Sequence, residues 1–406
     1  MLPLLSHIRV LDLSRVLAGP WSSQILADLG ADVIKVERPG RGDDTRAWGP
    51  PFLKRADGSN TEEGGYFVAA NRGKRSITLD LQTPEGQEIV KKLAVECDVV
   101  IENYKVGTLD RLGLGYKDLS AINPGLIYCS VTGFGQTGPR SKLPAYDFLI
   151  QAMGGLMSVT GERDDKPGGG PQKVGVPIVD LVTGVYGALA IVSALVGRNE
   201  TGHGDHIDLA MLDVQVGLLA NQAMNYLLSG KTPKRTGTAH PNIQPQRIFD
   251  CRNGQIVLVV GNDGQFLALC DVLGHPELKE DERFLTNGKR VVNQAELDPI
   301  LDAAFLSQDR EHWLDRLEEA GIPAGPINSV PEVFNEPQVV HREMLRHLPH
   351  PLAGSVPQVM SPLRFARAPL KTDTPPPLLG QHTAEILGNL GFSSEEIEGL
   401  RQRKVV

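Results

Sequence analysis

The sequence predicts an α/β protein: a larger domain built on a parallel sheet, and a smaller α+β domain. Three observations carry this. Residues 8–36 hold a short apolar strand (8–13), a turn, a helical pattern (21–29) and a second strand (32–36). This is a βαβ unit, whose crossover demands parallel pairing. Three more apolar runs, 77–81, 98–102 and 126–132, alternate with helical stretches, as in a Rossmann-like sheet. Residues 231–245 then carry Pro233, Gly237, Pro241 and Pro245 without periodicity, which marks a domain boundary.

Composition sets the class. The chain has 406 residues, 41% apolar and 22% charged, with a formal charge of −8. That length accommodates two domains with a sizeable core. The acidic balance argues against nucleic acid as a partner. Cys97, Cys129, Cys251 and Cys270 lie far apart with no CxxC pair. They indicate reduced thiols rather than a disulfide frame, and no metal site. The first strand begins within ten residues of the start, leaving no room for a targeting peptide. The expected location is cytoplasmic, with no membrane association.

Taken in order, the first turn is RVLAGP. Ala18-Gly19-Pro20 stands where a dinucleotide fingerprint needs GxGxxG, and Pro20 lacks a backbone donor, which argues against NAD. Residues 41–65, with GDDTR and WGPPF, form a polar loop long enough for a functional or partner-contacting role. Arg72, Lys74 and Arg75 surround Gly73 ahead of the third strand. They form either a solvated turn or an anion site, since such donors match phosphate oxygens. Helix 84–94 starts at Pro84, as helices favour. Strand 98–102 leads to Asn103-Tyr104 and a helix at 106–112, and strand 126–132 leads to GFGQTGP. The sheet thus carries Arg38, Arg75, Asn103, Gly133 and Gly135 in its loops, and the carboxyl ends of parallel strands line the ligand crevice.

Tyr146-Asp147 precedes a helix at 148–157, and residues 204–227 give a strand running into a helix. Strand 256–260 is followed by a second glycine loop with Gly261, Gly264 and Gln265. Two helices fill 297–319, a proline-rich stretch at 321–328 marks the way out, and a helix is expected at 383–390.

The sharpest feature is KVGVPIVDLVTGVYGALAIVSALV, residues 173–196. It predicts a helix buried on most sides, too short and too interrupted by Gly184 and Gly187 to span a bilayer. Asp180 stands at the helix start. It is either an N-cap, accepting backbone N–H groups with the dipole in its favour, or a carboxylate nucleophile. A reference pKa of about 3.9 makes an aspartate anionic at pH 7 without a partner base.

RVLAGPW, GADVIKVERP, GDDTR, NRGKRSITLDL, IENY with LDRLGLGY, GFGQTGP, Tyr146-Asp147, VDLVTGVYG and PPPLLGQHT occur in that order. No one of them is specific, but the ordered set resembles the family III CoA-transferases nearly end to end. Formyl-CoA transferase, the carnitine CoA-transferases and the α-methylacyl-CoA racemases are members. GPPF, GQTGP, GTAH and PPPLLGQHT are most similar to the succinyl-CoA:glutarate, or dicarboxylate, branch. The resemblance implies Asp180 as nucleophile with Tyr146 and Asp147 beside it. It implies a CoA thioester as co-substrate, with no permanently bound cofactor, contacted by Val16, Leu17, Arg38, Arg72, Lys74, Arg75, Asn103 and Arg111. Leu17 replaces a glutamine of formyl-CoA transferase, so a polar role is absent there. The Gly261 loop is poorer in glycine than that enzyme's lid. The resemblance also implies a ring-shaped chain interlocked in a homodimer: a large domain at 1–225, a small one at 226–330, and a tail, 331–406, returning to the large domain.

The implied reaction passes CoA from an acyl-CoA, with succinyl-CoA as donor, to a free acid, with a short dicarboxylate such as glutarate as acceptor. It runs through a mixed anhydride and an aspartyl-CoA thioester, and glycine-loop N–H groups in GFGQTGP or at Gly261 would stabilise the oxyanions. A remote carboxylate on the substrate needs a cationic or many-donor partner, for which Arg15, Arg46, Arg247 and His240 qualify. Two alternatives stay open. A racemase of the same fold would need a proton-moving pair where this chain has Tyr146-Asp147, and a non-catalytic CoA-binding protein would need no intact Asp180 motif.

Overall fold

The computed structural model describes residues 1–406, which group into two units. The first comprises 1–156, 174–223 and 337–406, and the second comprises 157–173 and 224–336. The excursion 157–173, placed by sequence in the larger domain, therefore groups with the second unit.

In the first unit β1 (Arg9–Asp12), α1 (Ala18–Asp28) and β2 (Asp32–Glu37) form the expected βαβ unit. The polar stretch after it is not a plain loop. It makes a 3-10 turn at Asp44–Ala47 and a hairpin of β3 (Phe52–Lys54) and β4 (Asn60–Gly64), then α2 (Gly65–Ala70). There follow β5 (Lys74–Thr78), α3 (Pro84–Glu96), β6 (Val99–Glu102), the short α4 (Thr108–Arg111) and α5 (Tyr116–Ile122), and β7 (Ile127–Thr132). Next come α6 (Asp147–Met153), α7 (Leu156–Val159), α8 (Ile178–Thr201), β8 (His206–Ala210), α9 (Met211–Leu218) and α10 (Ala220–Ser229).

Six strands pair in the order β5-β2-β1-β6-β7-β8, every pair parallel. Alternation along β1 sends Leu11 to a core shared with α3 and the carboxyl-terminal helices, and Val10 to a core shared with α1 and α8. Helices therefore cover both faces, as a buried parallel sheet requires. The tail closes the β5 edge: Ser76 N–H donates to His382 Nδ1 at 3.1 Å, and Thr78 N–H to Thr383 Oγ1 at 3.1 Å. Backbone donors that would template another strand are thereby used.

α8 departs from expectation twice. It is 24 residues long and apolar enough to cross a bilayer, yet one face packs as a core helix against α1 and the sheet. It is also not buried on most sides. Asp180, Thr183, Gly184, Gly187, Ala188, Ile191 and Leu195 make one buried stripe, while Val185, Tyr186, Leu189 and Val196 on other faces are each about half exposed or more. Small residues on the inner stripe permit close approach. A Cβ at Gly184 would lie 2.8 Å from the Ala18 carbonyl oxygen and 2.9 Å from Trp21 Cβ.

On the α1 side of the sheet, polar residues are buried in a row. Asp12 accepts from Ser14, from Ser23 Oγ at 2.5 Å and from Lys74 Nζ at 3.2 Å. Lys35 Nζ reaches Asp43 Oδ2 and the Ser14 carbonyl, both at 2.9 Å. Glu37 takes Arg46 Nε at 2.8 Å and Nη2 at 2.7 Å, and Ser76 Oγ at 2.7 Å. β5 begins three residues earlier than the apolar pattern suggested because Lys74 and Ser76 are paired rather than solvated. Burial alone pushes Asp43 up, but the Lys35 ammonium and the Thr45 N–H outweigh it and hold Asp43 at about 2.

The second unit has a three-stranded antiparallel sheet in the order β11-β10-β9, from β9 (Gln246–Cys251), β10 (Gly254–Val259) and β11 (Ala324–Pro326). Helices Asp263–Leu273, Gln294–Leu306 and Arg310–Glu319 cover it over a core that includes Phe249, Phe266, Phe305 and Trp313. In the first unit, β12 (Leu345–His350) and β13 (Gly354–Val359) form a hairpin tied to Arg72 through the Val359 carbonyl at 2.8 Å.

Asp43→Ala strands the Lys35 ammonium without its carboxylate partner in a site closed to water. Breaking such a pair costs about 3–5 kcal/mol. Thermal unfolding should show a clear fall in Tm. The wild type's advantage should shrink as pH falls from about 4 towards 2, because a depressed carboxylate loses its contribution as it protonates.

Candidate active site

Loops at the carboxyl ends of β1, β6 and β7 meet the start of α8 around a cavity of about 250 Å³. β1 and β6 are the neighbours at which strand order reverses direction, the switch point where open parallel sheets bind ligands. The wall takes Arg15, Val16 and Leu17 from the first loop, Asn103, Tyr104 and Lys105 from the second, Thr132 and Gly133 from the third, and Tyr146 and Asp180.

The β1–α1 loop is held from both sides. Asn103 Oδ1 accepts the Arg15 N–H at 2.8 Å, and Asn103 Nδ2 donates to the Arg15 carbonyl at 2.6 Å. Val16 has φ of +71°, strained for a β-branched residue, and its N–H donates to both oxygens of Asp43 at 3.3 Å. The polar atoms of Asn103 thus position the loop, and Leu17 puts an apolar surface in the wall.

Asp180 is the third residue of α8, not its cap. The N-cap is Pro177, which offers no side-chain acceptor. Asp147 does that work from 33 residues away: its Oδ2 accepts from Val179 N–H at 2.8 Å and Asp180 N–H at 3.3 Å. Its Oδ1 accepts from Gln151 Nε2, and Gln151 Oε1 accepts from Val174 N–H at 2.9 Å. Asp147 is buried and satisfied, whereas the carboxyl group of Asp180 is left to the cavity.

Burial, and then the charge of Asp147, raise Asp180 to about 7. The expectation of a fully ionised aspartate is corrected on that ground. A helix start stabilises an anion by about 0.3–1 kcal/mol, less than one pKa unit and too little to reverse the shift. Tyr66, on α2, is a neighbour that sequence reasoning missed. Burial raises its phenol, and the charges of Asp180 and Asp147 raise it further. Its ring meets Trp48 edge-on at 5.3 Å. The signal available was an aromatic pair, Trp48 and Tyr66, on either side of the β3–β4 hairpin.

Tyr146, Asp180, Val16, Leu17 and Asn103 therefore meet at one cavity, with Asp147 behind Asp180. Tyr146 is exposed. Arg38 lines a neighbouring cavity of about 240 Å³ that shares Arg15 and Tyr104 with the first. Arg111 is exposed on α4 and lines neither. The basic cluster read as a phosphate site is an internal one. Arg72 is buried on Asp28 at 2.8 Å, and Lys74, buried with Asp12, is pushed down to about 8 by desolvation. Arg75 lies at the amino end of β5, paired with Asp32 at 2.6 Å, on the far edge from the cavity. Of GFGQTGP, Gly133 reaches the wall, while the N–H groups of Gly135 and Gln136 donate to Thr132 and Asp208.

His240, Gly261, Gly264 and Gln265 belong to the second unit. His240 Nδ1 accepts the Asn242 N–H at 3.1 Å, within its own loop. Gly261 N–H donates to Gln265 Oε1 at 2.8 Å, and Asn262 caps the following helix through Gln265 N–H.

Asp180 also imposes a testable pH signature on stability. Because its folded pKa is raised, it favours the folded state at low pH and loses that contribution as pH rises from about 4 to about 7. Asp180→Asn removes the penalty. Its Tm should exceed that of the wild type by more at pH 8 than at pH 4.5 in thermal scans.

A family model described as CoA-transferase family III matches residues 5–383. The succinate–glutarate CoA-transferase of Agrobacterium fabrum is 49% identical over 388 residues, spanning 96% of both chains. The human succinyl-CoA:glutarate CoA-transferase is 44% identical over 383 residues, 94% of this chain and 85% of that one. Among solved structures, a CAIB/BAIF family protein from Brucella suis superposes with a TM-score of 0.83 at 50% identity, covering 96% of this chain and all of the other (100%).

Proposed function

The chain belongs to CoA-transferase family III and is an enzyme of that type, and from this premise we propose that it moves CoA from succinyl-CoA to a short dicarboxylate such as glutarate. The observation that carries the reading is Asp180, a carboxyl group without a cationic partner at a cavity on the sheet's switch point, where the other acid, Asp44, is held by arginines, in a chain similar nearly end to end to enzymes named for that transfer. CoA is a co-substrate here. Its acyl end belongs at Asp180, and its remainder along the carboxyl edge, towards Arg38.

The chemistry follows from one carboxylate. An oxygen of ionised Asp180 attacks the thioester carbonyl, the C–S bond breaks, and CoA leaves as thiolate from a mixed anhydride. The thiolate attacks the Asp180 carbonyl carbon, releasing succinate and leaving an aspartyl-CoA thioester. The second acid reverses both steps and departs as its CoA ester, returning Asp180 as carboxylate with no net proton change. Thioester replaces thioester, so the exchange is close to isoenergetic. Asp147 keeps the start of α8 in place throughout, since its bonds go to backbone N–H groups that do not react. Burial makes Asp180 more basic and, when ionised, a stronger nucleophile. The racemase alternative asks for a histidine–aspartate pair, whereas the cavity wall offers Tyr146 and no histidine.

Asp180→Asn should fold and lose turnover with succinyl-CoA and glutarate. In the wild type, hydroxylamine added after succinyl-CoA should modify Asp180, read by peptide mass. An active enzyme whose Asp180 stays unmodified sinks the covalent mechanism and, with an active Asp180→Asn, favours another nucleophile.

A homodimer of interlocked, ring-shaped chains is part of the proposal. The apolar outer faces of α6, α8 and α9 support a second copy, with Phe148 58%, Leu189 59%, Val196 61% and Val216 54% exposed. Four buried, unpaired cysteines support a reducing, cytoplasmic setting. Sedimentation across a wide dilution range should give a dimer that separates only on unfolding; a folded monomer at nanomolar concentration contradicts it.

A further inference from the structure

We propose that Arg15 selects the substrate by binding its remote carboxylate, the one that never joins CoA. The inference rests on the dicarboxylate reading above and names the residue that enforces it. Of the four groups that qualified by sequence, three are committed elsewhere. Arg46 is buried between Glu37, Glu63 and the Pro377 carbonyl, with its guanidinium 3.6 Å above the Phe67 ring. Arg247 belongs to the second unit, paired with Asp302 at 2.6 Å and lying 3.9 Å over Phe249. His240 serves its own loop.

Arg15 is itself paired with Asp44 and lies 5.1 Å over the Tyr104 ring, but it differs from the other three in its place. It lines the same cavity as Asp180, and the other cation there, Lys105, is exposed and solvated. Its Nη1 holds Asp44 at 3.2 Å. Its Nε is shielded from bulk water and bonded to nothing, so the Nε side of the guanidinium has a donor to give. This chain uses that side repeatedly to grip carboxylates through Nε and Nη2: Arg46 on Glu37, Arg72 on Asp28 and Arg75 on Asp32. A planar, two-donor grip is the geometry that matches a carboxylate. Charge agrees, because the single carboxylate of Asp44 is shared by Arg15, Arg38 and Arg41 and leaves the group net positive. The backbone of Arg15 is clamped at both its N–H and its carbonyl by Asn103, so little freedom is lost when an anion arrives.

A buried donor without a partner is unfavourable, and an arriving carboxylate removes that penalty. A monocarboxylate of equal length brings no such group. The same site also lies beside Arg38, so a phosphate of CoA is the competing use of Arg15, and the two uses separate experimentally.

The test compares wild type with Arg15→Gln and Arg15→Lys as purified full-length proteins, each shown to be folded by its Tm. Acceptor KM is measured for glutarate and butyrate, and the Kd of free CoA by calorimetry. Arg15→Gln should raise the glutarate KM about 10- to 100-fold, the worth of a charge-assisted pair, while the Kd for CoA stays within about twofold. Arg15→Lys should recover part of the loss. If the glutarate KM is unchanged, or if CoA binding weakens by as much, Arg15 is not the carboxylate clamp. Failure of the parent reading looks different: the wild type itself then transfers CoA to no dicarboxylate.

Discussion

The pairing of Lys35 with Asp43, closed to water beneath the carboxyl ends of β1 and β2, is the contact on which the site's geometry rests. Through Ser14 and Asp12 it joins Lys74, and Asp43 accepts the strained Val16 N–H, so charges inside the sheet fix the path of the loop above it. Buried pairs of this kind are weak contributors to net stability, because desolvation offsets most of their attraction. Here they determine a shape. Apolar side chains of equal volume would fill the space without dictating where the N–H of Val16 must point. Arg15 and Leu17 enter the cavity as a result.

Asp180 is governed by a second balance. Its helix begins at the cavity, and a helix start favours anions, yet burial and the charge of Asp147 push the other way and prevail. One residue therefore supplies both the hydrogen bonds that start α8 and the repulsion that keeps Asp180 basic. The short side chain at position 147 serves both ends, since it reaches two backbone N–H groups without touching the cavity.

The parallel sheet and the placing of Asp180 at the start of a long helix are legible because each leaves a local mark: apolar runs, and a single acid before a long apolar stretch. Other features left none. Lys74 and Ser76 look like a solvated turn because polarity in sequence does not reveal that partners wait in other strands, Asp12 on β1 and Glu37 on β2. For the same reason Arg72 reads as a ligand donor, although Asp28 holds it 44 positions away. The chain neighbours of Arg75 suggest the crevice, while the direction of β5 puts it at the opposite edge. The raised pKa of Asp180 comes from burial and then from a residue 33 positions earlier, neither of which a motif shows. The outer face of α8 also misled, since an apolar residue looks the same in sequence whether its own sheet or something else covers it.

The hydrogen bonds around Asp147 also form a clasp. The chain leaves the first unit after residue 156 and re-enters it at 174, and Gln151 and Asp147 on one side of the gap bind Val174 and Val179 on the other. With the two ends of the detour fastened to each other, its contour does not set where Asp180 stands. Changes of length within residues 157–173 are thereby uncoupled from the position of that carboxyl group, which keeps its address.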